Sequence, residues 1–143
     1  MNEKEMQKEL WRNNWLYSIN ELTSLELQRK SWLDKSNTNP HWTFVEFMCS
    51  YFDDLGIDNN YEYQLNEGWI SQNEFEIVKP WHELLDKYNS PTNDDYDFKA
   101  ILKDKNWQLI IEKGKETKSA LSKISSKKEN QILIEEIDYT KYK

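Results

Sequence analysis

The chain has 143 residues, a net charge of −7 and 37% apolar residues, among them seven Trp, eight Tyr and five Phe. This length suits one domain of roughly 100–150 residues, and the aromatic content argues against disorder, because disordered chains are poor in rings. Three Gly and three Pro are too few turn residues for a sheet protein of this size and point to an all-α domain of five to seven helices spanning 1–143.

Residues 3–19 read as a first helix. Met6, Leu10 and Tyr17 form its apolar stripe, widened by Trp11 and Trp15. Thr23-Ser24-Leu25-Glu26 matches a capping box, in which Thr23 accepts from the backbone three residues on and Glu26 reaches back. The helix it opens, about 24–36, presents Leu25, Trp32 and Leu33. After a turn at 36–39, Asn39-Pro40 suits a helix start, since the N–H that proline lacks has no helical partner there. Phe44, Phe47, Met48, Tyr51 and Leu55 follow helical spacing and place this helix at the centre of the core. Gly56 is placed to close it in a left-handed conformation.

Residues 57–70 are less regular and read as a short helix or loop. Ser71-Gln72-Asn73-Glu74 is a second capping box. Its helix carries Phe75, Val78, Leu85 and Tyr88, with Pro80 predicting a kink or two abutting helices. The main loop is 89–97, followed by a short helical segment at 98–103. Asp104 caps a longer helix to about 124, with Trp107, Ile110, Ile111, Leu121 and Ile124 inward and Gly114 where another helix can come close. Ser126-Lys127-Lys128-Glu129 opens the last helix, with Ile132, Leu133 and Ile137. Residues 139–143 are expected to fray.

Charge is unevenly divided. Residues 1–98 carry 8 basic against 19 acidic side chains, and residues 99–143 carry 11 against 7. The acidic body disfavours nucleic acid as a direct ligand, because phosphate binding needs Lys and Arg. The lysines of the last helices interleave with Glu112, Glu116 and Glu129, as on ordinary helix surfaces. No apolar run reaches the length that spans a bilayer. The N-terminus has no apolar stretch of signal-peptide type, and the lone Cys49 can form no intrachain disulfide. These features lead to the expectation of a cytoplasmic protein.

Three groups of residues are candidates for chemistry. The acidic loop Asp94, Asp95 and Asp97, with Asp53 and Asp54, offers carboxylates for a cation or for acid–base work, although it lacks the pattern of a calcium loop. Its plainer reading is that Asp95 or Asp97 caps the next helix and the others are solvated. His41 and His82 each adjoin a Trp; with the aspartates they would serve a small metal-dependent enzyme. His82 and Asp86, four residues apart, would make a base and its orienting partner, but no nucleophile stands beside them. Cys49 in an apolar helix is expected to be inert. The third group is the aromatic surplus. Trp11, Tyr63 and Trp69 lie on irregular faces, where exposed rings serve as interface anchors.

Length, acidity, aromatic richness, a lone Cys and the absence of a catalytic motif make the chain resemble a small bacterial immunity protein, of the class that neutralises a cognate toxin in contact-dependent or polymorphic toxin systems. Asn39-Pro40-His41-Trp42 and Asp94-Asp95-Tyr96-Asp97 look motif-like without belonging to an assigned motif. The resemblance implies a non-enzymatic protein-binding module with no cofactor and no membrane partner. Asp53, Asp54, Asp94, Asp95 and Asp97 would meet a basic protein, with Tyr96 and Trp69 as anchors. A metal-dependent enzyme and a structural or regulatory subunit are the alternatives.

Overall fold

Helices account for all the regular structure of residues 2–57 and 59–141, the part of the chain that the computed structural model describes. There are eight α-helices among these residues, a 3-10 turn at Tyr139–Lys141 and no strand. The all-α expectation holds; the helix beyond the expected five to seven is a five-residue one, Glu62–Asn66, inside the irregular stretch 57–70.

Helix α1 (Glu3–Leu22) begins at Asn2, whose side chain accepts from Glu5 N at 2.8 Å. It buries Trp11, Trp15, Leu16, Ile19 and Leu22, whereas Met6 and Leu10 are 57% and 64% exposed. The inward face is therefore the tryptophan face, not the expected Met6–Leu10 stripe. Each indole removes roughly 150–250 Å² from water, more than Met or Leu can offer. The indole N–H of Trp11 also finds a buried acceptor, Leu55 O at 2.8 Å. Trp11 is consequently core and not a surface anchor.

The next helix, α2 (Leu25–Trp32), starts one residue later than the Thr23 box predicts. Ser24 is its cap, accepting from Leu27 N, while Thr23 ends α1 and donates to Ile19 O. The helix stops at Trp32, which leaves Leu33 exposed. Helix α3 (Phe44–Phe52) is capped by Thr43 and not by Asn39. Asn39 instead accepts from His41 N within a local turn, the competition with helix that Asn side chains offer. Phe44, Phe47 and Tyr51 are buried, but the extensive contacts of this helix are with α1, so α1 and not α3 is the hub of the core. Beyond the helix, Gly56 has φ +64°, Gly56 N donates to Asp53 O and Ile57 N donates to Phe52 O. That is a Schellman closure, and it needs the left-handed residue that glycine supplies without strain.

Helix α4 (Glu62–Asn66) follows two left-handed non-glycine residues, Asn60 and Tyr61. Helix α5 (Gln72–Lys87) opens with both halves of the Ser71–Glu74 box. It runs unbroken through Pro80, so the two-helix alternative does not occur. Asp97 caps α6 (Phe98–Lys103) and Asp104 caps α7 (Lys105–Ile124). Ile124, expected inward, is 48% exposed at the last turn. Gly114 sits where α7 meets α5 and the end of α1. A Cβ there would lie 2.7 Å from Thr23 Cγ2 and 2.8 Å from Trp81 Nε1, so the close approach requires glycine.

In α8 (Lys127–Ile134), Ser126 accepts from Glu129 N, but the Glu129 carboxylate turns away to Arg12. Ile137 lies beyond this helix, half-buried. Tyr139 does not fray: its hydroxyl donates to Asp34 at 2.7 Å and its ring meets Trp42. Helix α1 packs against α3, α7 and α8, and α5 against α7. The buried apolar side chains of all these elements join in one cluster.

Candidate functional site

Among the described residues the aspartates expected to act together form no cluster that could hold a metal ion. Asp53 and Asp54 are exposed just past the end of α3. The 89–97 loop leads into Phe98, whose ring packs on Trp32, itself against Phe44 at the start of α3. Within the loop, Asp94 accepts from Tyr96 N at 2.9 Å, and Asp97 accepts from Ala100 N as the cap of α6. Asp97 thus takes the capping role, while Asp94, Asp95 and Tyr96 face solvent, the last 66% exposed.

Trp69 is half-buried, lying on Trp11 with centroids 5.8 Å apart and meeting Tyr63 edge-on at 5.4 Å. Tyr63 is 55% exposed, as expected for an irregular face. Around it, Glu62 and Glu67 are also exposed. These two carboxylates were missed by motif reading. The available signal was a long-range one: residues 36–78 contain eight acidic side chains and no Lys or Arg.

The histidines have separate partners. His41 Nε2 lies 2.6 Å from Glu21 Oε2, and the Glu21 side chain is almost wholly buried in α1. His82, buried in α5, places Nδ1 2.9 Å from Tyr51 OH; it makes no hydrogen bond to Asp86, which is exposed. From Tyr51 the polar chain continues inward. Tyr51 OH is 2.5 Å from Tyr61 OH, which accepts from Trp15 Nε1 at 2.9 Å. Trp15, Tyr51 and Tyr61 are fully buried. Among the described residues no group of three or more His, Cys, Asp or Glu stands where it could hold a metal ion. Cys49 is half-buried rather than buried. Desolvation, followed by the nearby Asp53, pushes its thiol up, away from the reactive thiolate.

Electrostatics set the two histidines apart. The hydrogen bond to Glu21 raises His41 above its ordinary value, against a smaller effect of burial. Burial raises Glu21 in turn, opposed by His41. Burial lowers His82. A raised His41 contributes stability that is complete below the unfolded value of about 6.5 and is lost as pH rises through the folded value. His82 has the opposite sign and acts below about pH 6.5. Denaturant unfolding between pH 6.5 and 8.5 is therefore expected to show stability falling in the wild type, with the slope reduced in His41→Gln. A slope unchanged by the substitution would show that the pair is not coupled to folding.

Arg12 gathers the remaining buried charge. Its Nε and one terminal nitrogen donate to Glu129 at 2.8 and 2.9 Å, and its terminal nitrogens also donate to Glu74 at 2.7 and 3.1 Å and to Trp69 O at 2.7 Å. All five N–H donors of the guanidinium are used. The clamp ties α1 to the N-terminal turns of α5 and α8 and holds the backbone at Trp69. No helix among the described residues is long and apolar enough to cross a membrane. Comparison with protein-family models, with curated proteins and with solved structures gives no match.

Proposed function

We propose that this chain is a non-enzymatic protein-binding module that neutralises a basic partner, in the manner of a bacterial immunity protein facing its toxin. The observation that supports this reading is the segregation of charge, with eight acidic and no basic side chains in residues 36–78. On this stretch, Asp53, Asp54, Glu62 and Glu67 are exposed, as is Tyr63 beside the half-buried Trp69. The 94–97 loop adds Asp94, Asp95 and a solvent-facing Tyr96. Carboxylates of one sign steer a basic surface towards them and speed its association. An amphipathic ring set among them supplies the contact area that charge alone lacks. The rigid scaffold under these rings, Trp69 on Trp11 with its carbonyl held by Arg12, lowers the ordering cost of binding.

The experiment is capture from the native bacterium at low and then moderate salt, followed by association kinetics with the captured partner. The expected partner is basic and held near one to one. Two charge-neutralising variants then separate the patches: Asp94→Asn, Asp95→Asn, Asp97→Asn together, and Asp53→Asn with Asp54→Asn. Asn can still cap α6 in place of Asp97. At least one set should slow association about tenfold at low salt and flatten its salt dependence. A partner that is neutral or acidic, or rates unmoved by both sets, would defeat the proposal.

A further inference from the structure

A groove of about 610 Å³ runs between the end of α1, helix α2 and residues 134–140. Two amines line it, and they differ in their partners. Lys30 is exposed and paired with Glu26 at 2.9 Å. Lys118, on α7, is half-buried and donates to Asn20 Oδ1 at 3.0 Å. Asn20 is itself buried, and its amide nitrogen is committed to Ile132 O and Glu135 O. Its oxygen is thus fixed as a neutral acceptor. Among the described residues no carboxylate lies within ion-pair distance of Lys118.

We propose that Lys118 is a nucleophilic amine and that this groove admits small thioesters, which acylate it. The neutral amine keeps one N–H on Asn20 and attacks the acyl carbon. A C–N bond forms and the C–S bond of a thioester breaks. The departing thiolate takes up the proton that the nitrogen loses, and nothing is oxidised or reduced. Desolvation lowers the Lys118 ammonium from its ordinary value, and Lys115 on the same helix adds repulsion. A lysine shifted in this way has more free amine at neutral pH. The other titratable groups on the groove, Glu26, Glu135, Glu136, Asp138 and Tyr139, give Lys118 no ion pair. Lys30, held protonated by Glu26, is a built-in control in the same groove.

The test uses the full chain with a limiting amount of the acetyl thioester of N-acetylcysteamine, between pH 7 and 10, with acetylation at each lysine followed by peptide mass spectrometry. Lys118 is expected to react at least about threefold faster than Lys30 or Lys115 at pH 7.5, and to reach half its maximal rate at a lower pH. Equal or slower reaction at Lys118, or a pH profile matching that of Lys30, overturns the assignment. Because the comparison is made within one wild-type molecule, it does not depend on whether a variant folds.

Discussion

Replacing Arg12 by alanine is expected to lower the unfolding free energy by about 3 kcal/mol, near the lower end for breaking a buried ion pair. The carboxylates it leaves behind are mostly buried, at 13% and 20% side-chain exposure. They would face each other without a cation, and the carbonyl of Trp69 would lose its donor. Arg12→Lys should recover only part of this loss, since a compact ammonium with three donors cannot span two carboxylates and a carbonyl. The pH dependence carries a second signature. Burial pushes Glu74 up, but the hydrogen bonds from Arg12 and Ser71 outweigh it and hold the carboxyl below its ordinary value. A depressed carboxylate contributes stability above about pH 4.5 that is lost as pH falls through the folded value. The gap between wild type and Arg12→Ala should therefore narrow under acid. Urea unfolding at pH 7 and at pH 4 measures both effects; a loss under 1 kcal/mol at pH 7 would show that the clamp is decorative.

The second large effect is expected at Tyr61, the node of the buried polar chain. Tyr61→Phe keeps the ring and removes one oxygen. That oxygen accepts from Trp15 and is bonded to Tyr51. The indole N–H of Trp15 would then be buried and unpaired, at about 1–3 kcal/mol for such a group. Tyr51 retains His82 as a partner, which limits the total to about 2–3 kcal/mol. Tyr61 also holds a left-handed backbone, φ +63°, a conformation that costs of order 1–3 kcal/mol and persists only when the surroundings enforce it. Weakening its hydrogen bonds should thus loosen the approach to α4 as well. Amide exchange across 59–67, measured beside denaturant unfolding, is expected to speed up in the variant. Unchanged exchange with full stability would mean that ring packing alone holds the turn.

Both effects concern contacts that no local pattern announces. Ser71–Glu74 reads as a self-contained capping box, and the structure contains it. The same Glu74 also reaches Arg12, 62 residues earlier in the chain. Glu129 sits at the box position after Ser126, yet Arg12 takes its carboxylate, leaving half a box. At Glu129 the distant cation takes the carboxylate from the backbone, whereas Glu74 serves its own cap and Arg12 together, since a carboxylate accepts several hydrogen bonds.

Periodicity by itself determined the helical class, the buried face of Phe44, Phe47 and Tyr51, the cap at Asp104, the closure at Gly56 and the close approach at Gly114. All of these follow from backbone sterics and 3.6-residue spacing, which act within a few residues. The tertiary structure decided which of two apolar stripes on α1 faces inward. Both Met6–Leu10 and Trp11–Trp15 satisfy helical spacing, and the acceptor and rings supplied by other elements add to the larger area of the indoles in favouring them. It likewise gave His41 and His82 different partners. Such choices depend on desolvation and hydrogen bonding between segments far apart in the chain, and burial is a property of the whole molecule.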